Sequence, residues 1–401
     1  MFPPVPRSLY AAMLLQFAVG GSVIPFLTIL LRDRGLDFSQ ISRIFLVASA
    51  TLLVCPVLWG MVADRYLPLN RLFSLLNGMA AAALFGLAGQ TSFIGLMIAV
   101  AGFYACFHPT LTLINTLCFH HLVDPQAQFA RLRAWGSAGW IVPSLPVSVW
   151  IACGLSANFD FVIVLGIAFS LAMALAALML PHTPAGAAPV PLGGIPLIGY
   201  WPATRRLLGN TNYLTIIGAF FLMSASFSVM IFYSPPFLED RGVSREWIGP
   251  IQSIGVVLEI VMFPFLPRFV QRRGYVSAVL IGCACLLLRH LVYVLSDNAW
   301  VLSASYLFAG MVIVFFHIGC SILANAIAGR EVKATAQTLL VLFGSGLGPM
   351  FANGAAGPLA KHFDNDLRPV FAMAAVLAAM AFGLVWSRRK ALARATGYAV
   401  E

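Results

Sequence analysis

Stretches of about 20 apolar residues, separated by short polar loops, recur along the whole chain and constrain its fold more than any other feature. Charged residues make up only 9% of the sequence, whereas soluble domains carry about 25%. Twelve such stretches can be counted, and we number them spans one to twelve. They lie at 8–31, 39–62, 71–89, 93–116, 126–152, 160–180, 211–236, 246–267, 276–295, 300–327, 336–358 and 368–388. The sequence therefore predicts an all-α membrane protein with twelve transmembrane helices.

The sequence repeats itself once, at an offset slightly above 200 residues. Asp33-Arg34-Gly35 matches Asp240-Arg241-Gly242 at an offset of 207, and Trp135-Gly136-Ser137 matches Phe343-Gly344-Ser345 at 208. Further matches pair Ala101-Gly102 with Ala309-Gly310, His108 with His317, and Asn115 with Asn325, at offsets of 208 to 210. Three groups of matches at nearly one offset indicate two pseudo-symmetric halves.

A proline-rich segment separates the two halves, and its composition is typical of a linker. The predicted organisation is an N-terminal six-helix half at 1–180, a cytoplasmic linker at 181–210 and a C-terminal six-helix half at 211–401. Two such halves around a central site form an architecture of alternating-access transporters.

The distribution of arginine and lysine predicts the orientation. Loops on the side of both termini hold fifteen of these residues, and loops on the opposite side hold six. The positive-inside rule then places both termini in the cytoplasm and the chain in a bacterial inner membrane. The net charge of +10 reflects this topology and contact with the lipid bilayer. No basic stripe is interleaved with aromatic residues in a soluble segment, so we expect no nucleic-acid partner; we expect a monomer.

Three charged residues lie well inside apolar spans: Arg133, Glu259 and Arg289. An ionised group in hydrocarbon costs at least a few kcal/mol, so such residues persist mainly where they face a cavity, a partner or a substrate. We expect the functional site to contain them. The alternatives are an Arg133 that snorkels to the membrane surface and a fixed Glu259–Arg289 ion pair without a transport role.

A loop motif between spans two and three gives the first resemblance to a known family. Gly60-Met61-Val62-Ala63-Asp64-Arg65, followed by Arg71, resembles the G-x-x-x-D-R/K-x-x-x-R/K signature of the major facilitator superfamily. The resemblance implies that Gly60, Asp64 and Arg65 belong to a cytoplasmic gate. An ordinary turn that follows the positive-inside rule is the alternative.

Span five resembles lactose permease and its relatives over Phe129 to Trp140. In that family the matching arginine binds substrate hydroxyls and the matching tryptophan stacks on a sugar ring. The resemblance therefore implies that Arg133 and Trp140 bind substrate, and Ser137 between them is a further candidate. Their spacing of seven residues puts Arg133 and Trp140 on one helix face, about 10 Å apart along the axis.

The C-terminal half extends this resemblance. Glu259, Arg289 and His317 match positions that couple sugar binding to proton movement in the lactose permease family. The patterns of spans eight and nine look closer still to the bacterial phenylpropionate permeases. Two departures exclude a direct transfer of the lactose permease mechanism. Asn115 stands where that family has a glutamate, in a stretch that resembles bacterial nucleoside:proton symporters, and Cys320 stands where the family has a second acid.

These features favour a secondary transporter over an enzyme, because the sequence shows no catalytic constellation, metal-binding pattern or nucleotide-binding loop. We expect a small-molecule substrate, protons as the coupling ion, and a proton gradient in place of any cofactor. Proton-coupled uptake of a nucleoside or glycoside-like solute is the leading interpretation and includes Asn115 in the binding site. Uptake of an aromatic or other small carboxylate, held by Arg133 or Arg289, is the second; efflux or a non-transporting receptor remains open.

Overall fold

The computed structural model describes residues 5–122, 125–156, 158–185, 201–328 and 333–395, and every regular element within them is a helix. Of the predicted linker, positions 186–200 lie outside the described residues, while Trp201–Gly209 is helical. The contacts divide the chain into an N-terminal unit, Met1–Gly194 with Ser244–Ser253, and a C-terminal unit, Ile195–Val243 with Ile254–Glu401.

In the N-terminal unit, span one packs on spans five and six, span six packs on span three, and span four joins span three to span two. Pro143 divides span five because proline lacks a backbone N–H and disrupts the turn before it. The helices are, in order, Arg7–Val23, Ile24–Phe26 and Leu27–Asp33 (span one), Phe38–Arg65, Leu69–Ala88, Phe93–His121, Pro125–Ile141 with Ser144–Ala152 (span five), and Asp160–Leu178.

In the C-terminal unit, span seven packs on spans eleven and twelve, and span nine packs on spans ten and twelve. Spans ten and eleven each contain a π-helical segment, Val312–Ile318 and Leu342–Leu347. The helices of this part of the chain are Thr211–Asp240 (span seven), Arg245–Met262 (span eight), Phe263–Phe265, Leu266–Leu295 (span nine with the loop before it), Ala299–Ala304, Leu307–Met311 and Gly319–Ile327 (span ten), Lys333–Val341 and Gly348–His362 (span eleven), Arg368–Ser387 (span twelve) and Arg389–Ala395.

Ten helical stretches of the described residues are long and apolar enough to cross a membrane. One of them, Arg245–Leu295, has 51 residues and therefore covers two predicted spans. Span five is not among the ten, and Pro143 divides it into helices of 17 and 9 residues. The prediction of an all-α, multi-pass membrane protein is confirmed.

The repeated Asp-Arg-Gly motif forms the same turn in both halves. Gly35 and Gly242 both have φ +83°, a left-handed conformation that favours glycine. The backbone N–H of the residue after each glycine donates to the carbonyl five residues earlier, from Leu36 to Leu31 and from Val243 to Leu238. Both turns are thus Schellman caps that end a span, so the repeat seen in the sequence is also a structural repeat.

The helix of span eight is divided between the two units. Its first residues pack within the N-terminal unit, where the Arg245 guanidinium donates to both carboxylate oxygens of Asp33 at 2.8 and 2.9 Å. Ser148 donates to the carbonyl of Glu246, and the hydroxyls of Ser144 and Ser253 are 3.1 Å apart. From Ile254 onward the helix belongs to the C-terminal unit.

Candidate functional site

Arg133 contacts an aromatic ring of span one and a hydroxyl of its own helix. Its guanidinium carbon lies 4.3 Å from the ring centroid of Phe17, close enough for a cation–π interaction. Its Nη1 donates to the Ser137 hydroxyl at 3.2 Å, one helical turn further along span five. Two of the predicted substrate-binding residues are therefore in direct contact. Phe17 was not among the predicted residues, because no sequence pattern shows which side of span one faces span five.

Trp140 lies on the same side of span five, against two glycines of span one. A Cβ on Gly20 would lie 2.8 Å from Cζ3 of Trp140, and a Cβ on Gly21 would collide with the Trp140 backbone. The glycine pair thus allows the two helices to approach closely and leaves the half-buried indole over span one. Arg133 and Trp140 therefore both line the contact between spans five and one, as their spacing predicts.

Asn115 lies in span four, which also packs on span one. Its side chain is half-buried, and its Oδ1 is buried without a hydrogen-bond partner among the described residues. A buried acceptor left unpaired costs about 1–3 kcal/mol. A ligand hydroxyl or amine would remove that cost, which is consistent with the predicted binding role. No hydrogen bond to Asn115 Oδ1 joins it to Arg133.

A buried polar network fixes span one at the level of Phe17. Gln16 donates to the Thr110 hydroxyl of span four at 2.6 Å and accepts from the Asn77 amide of span three at 3.1 Å. All three side chains are almost completely buried. Hydrogen bonds between membrane helices typically contribute about 0.6 kcal/mol each to stability. This network therefore joins spans one, three and four at Gln16, next to Phe17.

Glu259 lies in the C-terminal unit, where spans eight and ten meet at two glycines. A Cβ on Gly310 would lie 2.6 Å from the backbone nitrogen of Glu259 and would collide with the carbonyl of Gly255. The Glu259 side chain is only 4% exposed. Close glycine packing therefore places this carboxyl in the protein interior, in the last turn of the α-helix that ends at Met262.

Arg289 is 3% exposed and lies over the Tyr306 ring, with its guanidinium carbon 3.9 Å from the centroid. The Tyr306 hydroxyl is 2.8 Å from the Ser234 hydroxyl of span seven, which fixes the ring. Nε and Nη2 of Arg289 are buried and have no hydrogen-bond partner among the described residues. These two nitrogens of Arg289 are therefore placed to donate hydrogen bonds to an acceptor. Sequence reasoning missed Tyr306 and Ser234, because their relation to Arg289 arises only from helix packing.

His317 is enclosed by aromatic rings. It lies in the π-helical segment of span ten, and its ring centroid is 5.3 Å from those of both Phe220 and Phe227. Its Nε2 is buried without a partner among the described residues. His290, beside Arg289, has the partner that His317 lacks, since it lies 2.8 Å from the Ser226 hydroxyl.

The predicted gate residues lie together at the end of span two. The helix ends at Arg65, which is exposed; Gly60 is buried and Asp64 is half-buried. They belong to the N-terminal unit but not to the group formed by Phe17, Arg133 and Trp140. Their effect on conformational change stays a prediction. No group of three or more metal-ligating side chains is placed to hold an ion in the described part of the chain.

Comparison with known proteins identifies the family. The model of the "MFS_1 like family" matches residues 7–373. The chain is 24% identical to the uncharacterized transporter YwbF of Bacillus subtilis, covering 96% of this chain and 94% of that one. It is 22% identical to the nucleoside permease NupG of Escherichia coli, covering 88% and 87%.

The fold is also that of a solved transporter. The crystal structure of a NupG point mutant superposes with a TM-score of 0.82 at 21% identity, covering 95% of this chain and 98% of that one. The expected transporter fold and function class, in place of an enzyme, are confirmed. The chain belongs to the MFS_1-like family and is a transporter of the major facilitator type.

Proposed function

We propose that this protein takes up a nucleoside or glycoside-like small solute together with protons, by alternating access. The observation that carries the proposal is the group of Arg133, Ser137 and Trp140 on one face of span five, with Phe17 beneath the guanidinium. It offers what a nucleoside requires: hydrogen-bond donors for hydroxyl and carbonyl oxygens and an aromatic face for a ring. The similarity to a nucleoside permease over 88% of the chain supports the same substrate class.

The C-terminal unit supplies the groups for proton coupling. Glu259 is a buried carboxyl that can hold a proton in one conformation and release it in another. Arg289 carries buried N–H groups that can donate hydrogen bonds to a carboxylate when Glu259 ionises, and His317 has a buried ring nitrogen that can take up a proton. In this proposal Asp64 and Arg65 act at a cytoplasmic gate. The protein works as a monomer in a bacterial inner membrane with both termini in the cytoplasm.

Substrate binding by purified protein tests the binding group. Arg133→Ala should weaken nucleoside binding about 10- to 100-fold, since hydrogen bonds to a charged group contribute about 1.5–3 kcal/mol. Arg131→Ala is the matched control, because Arg131 lies on the same helix but is exposed. Nucleoside affinity that is equal in both variants would contradict the assignment.

Counterflow and pH-driven uptake in proteoliposomes test the coupling. Glu259→Gln keeps the shape of the side chain but cannot release a proton, so accumulation driven by a pH gradient should disappear while exchange of substrate continues. If the variant still accumulates substrate, the proton is carried by another group, with His317 next to be changed.

A reporter fused at Glu401 tests the proposed topology, and a periplasmic signal from it would contradict that topology.

A second substrate class rests on one observation, the two nitrogens of Arg289 that have no hydrogen-bond partner in the described part of the chain. A carboxylate is the acceptor that best matches a guanidinium. If aromatic carboxylates displace a bound ligand and nucleosides do not, and if Arg289→Lys abolishes that displacement, uptake of a small carboxylate replaces the nucleoside proposal.

A further inference from the structure

A groove of about 520 Å³ runs along the surface of the C-terminal unit between spans nine and twelve. Leu280, Ile281 and Ala284 of span nine form one wall, and Phe382 and Trp386 of span twelve form the other. Phe382 and Trp386 are stacked, with ring centroids 5.9 Å apart. The walls are therefore apolar over most of their length, as a hydrocarbon chain requires.

One end of this groove is basic. Gly274, with φ 77°, interrupts the helix Leu266–Leu295, so that the exposed Arg273 stands where span nine begins. At the opposite wall the guanidinium carbon of Arg389 lies 4.1 Å from the Trp386 ring centroid. Ser277 adds a hydroxyl at the same end. The eight residues that line the groove include an arginine and no acid, so a bound anion meets no opposing charge there.

We propose that this groove binds an anionic phospholipid. The phosphate group lies between Arg273 and Arg389 with Ser277 beside it, and an acyl chain follows the apolar walls toward Ala284. Ser277 and Ala284 are seven residues apart, which is about 10 Å along the helix, so a good part of one acyl chain fits. The tryptophan at the end of span twelve is the residue type that favours the headgroup level of a membrane. The positive charge at the basic end of the groove selects an anionic headgroup over a zwitterionic one.

Native mass spectrometry of purified protein with phosphatidylglycerol and with phosphatidylcholine tests this site. The wild-type protein should retain one phosphatidylglycerol in preference to phosphatidylcholine. A basic residue at a membrane surface adds about 1 kcal/mol, or about five-fold, to the binding of an anionic lipid. The double variant Arg273→Gln/Arg389→Gln should therefore bind phosphatidylglycerol about 20- to 30-fold more weakly at low salt.

A matched double variant separates this site from general attraction to charge. Arg205→Gln/Arg206→Gln removes the same number of charges at two exposed residues of the helix Trp201–Gly209, which do not line the groove, and should change the affinity little. An equal loss in both double variants would overturn the proposal.

A charge-neutral variant tests the apolar part of the groove. Ala284→Phe fills the groove and should reduce lipid binding without affecting the arginines. Unchanged lipid binding in this variant would show that no acyl chain lies there and would overturn the proposal. If a variant does not yield folded protein, quenching of fluorescence by lipid with brominated chains gives the same answer: quenching should fall from wild type to Trp386→Phe, and an equal extent of quenching would overturn the site.

Discussion

The two halves of this protein share their turns but differ in the helices of two pairs of corresponding spans. In the N-terminal unit, spans four and five consist of α-helices, Phe93–His121 and Pro125–Ile141 with Ser144–Ala152. In the C-terminal unit, the corresponding spans ten and eleven each contain a π-helical segment. A π segment inserts one residue into an α-helix and occurs frequently at functional sites.

These insertions explain two of the changes in the repeat offset between the halves. Gly102 and Gly310, which lies before the π segment of span ten, are 208 residues apart. His108 and His317, which lies within that segment, are 209 residues apart. Gly139 and Gly348 are likewise 209 residues apart, and each packs on a backbone carbonyl in the first span of its own half, that of Leu14 or of Phe221. The further step to 210 at Asn325 has no such explanation, because Gly319–Ile327 is a regular α-helix.

The difference has a functional meaning. In the N-terminal unit the hydrogen bonds of Gln16 to Thr110 and Asn77 hold span one beneath Arg133, although Oδ1 of Asn77 and of Asn115 lacks a partner among the described residues. In the C-terminal unit buried groups on Arg289 and His317 lack partners among the described residues. Unsatisfied groups next to a π segment favour an element that changes its partners between states.

The largest effect is expected from removing single residues at matched positions. Deletion of Ile313 should convert the π segment of span ten into a regular α-helix and leave folded protein. Deletion of Ala105, the equivalent position of span four, should rotate the rest of that helix by about 100° and abolish folding. Size-exclusion profiles and thermal unfolding in detergent measure this. Equal loss of folded protein would show that Val312–Ile318 is not a one-residue insertion.

A smaller difference is expected at the glycines Gly102 and Gly310. A methyl group on Gly102 would make an ordinary contact, 3.6 Å from the Cβ of Ala83, so Gly102→Ala should be tolerated. On Gly310 it would collide with the backbone of span eight, so Gly310→Ala should destabilise the protein by about 1–3 kcal/mol. Thermal unfolding of the two variants compares them directly, and similar melting temperatures would contradict the packing of spans eight and ten.

At Gly35 and Gly242 we expect equal effects, because the two turns are the same. A left-handed conformation costs a non-glycine residue about 1–2 kcal/mol, and a Cβ at either position meets no other atom within 4 Å. Gly35→Ala and Gly242→Ala should therefore lower the melting temperature by similar amounts. Clearly different shifts would mean that only one of the turns is held by the structure around it.

The smallest effect concerns the charged groups beside these turns. Arg34 pairs with Asp160, whereas Arg241 and Arg368 share Asp297. The hydrogen bond from Arg368 and the charges of both arginines lower the pKa of Asp297. The stability that these interactions of Asp297 give the folded protein is therefore fully present above the ordinary aspartate pKa of about 3.9. It is lost as the pH falls through the lowered pKa of Asp297.

Asp297→Asn should accordingly reduce the melting temperature slightly at pH 7. The difference from the wild type should shrink as the pH falls below about 4. Because this aspartate is exposed, salt should also reduce the difference. A difference that stays constant with pH and salt would assign the effect to packing instead of charge.

The fold could be predicted from the sequence because apolar length and the Asp-Arg-Gly repeat are local signals. The pairing of Arg133 with Ser137 follows from helical spacing alone. Phe17 and Tyr306 could not be predicted in this way. Each touches its arginine from another helix, and the rotation of one membrane helix against another depends on packing in three dimensions. The π segments left only an indirect signal, the drift of the repeat offset.

The divided helix of span eight has a consequence for cutting the chain. A cut in the linker would produce two polypeptides whose boundary does not coincide with the packing, since Ser244–Ser253 would leave with the C-terminal fragment. The N-terminal fragment alone would then expose Asp33, Ser144 and Ser148 without the groups that they bind. Two fragments synthesised separately should consequently be stable in the cell only when both are present. An N-terminal fragment that also includes Ser244–Ser253 should no longer need the other fragment.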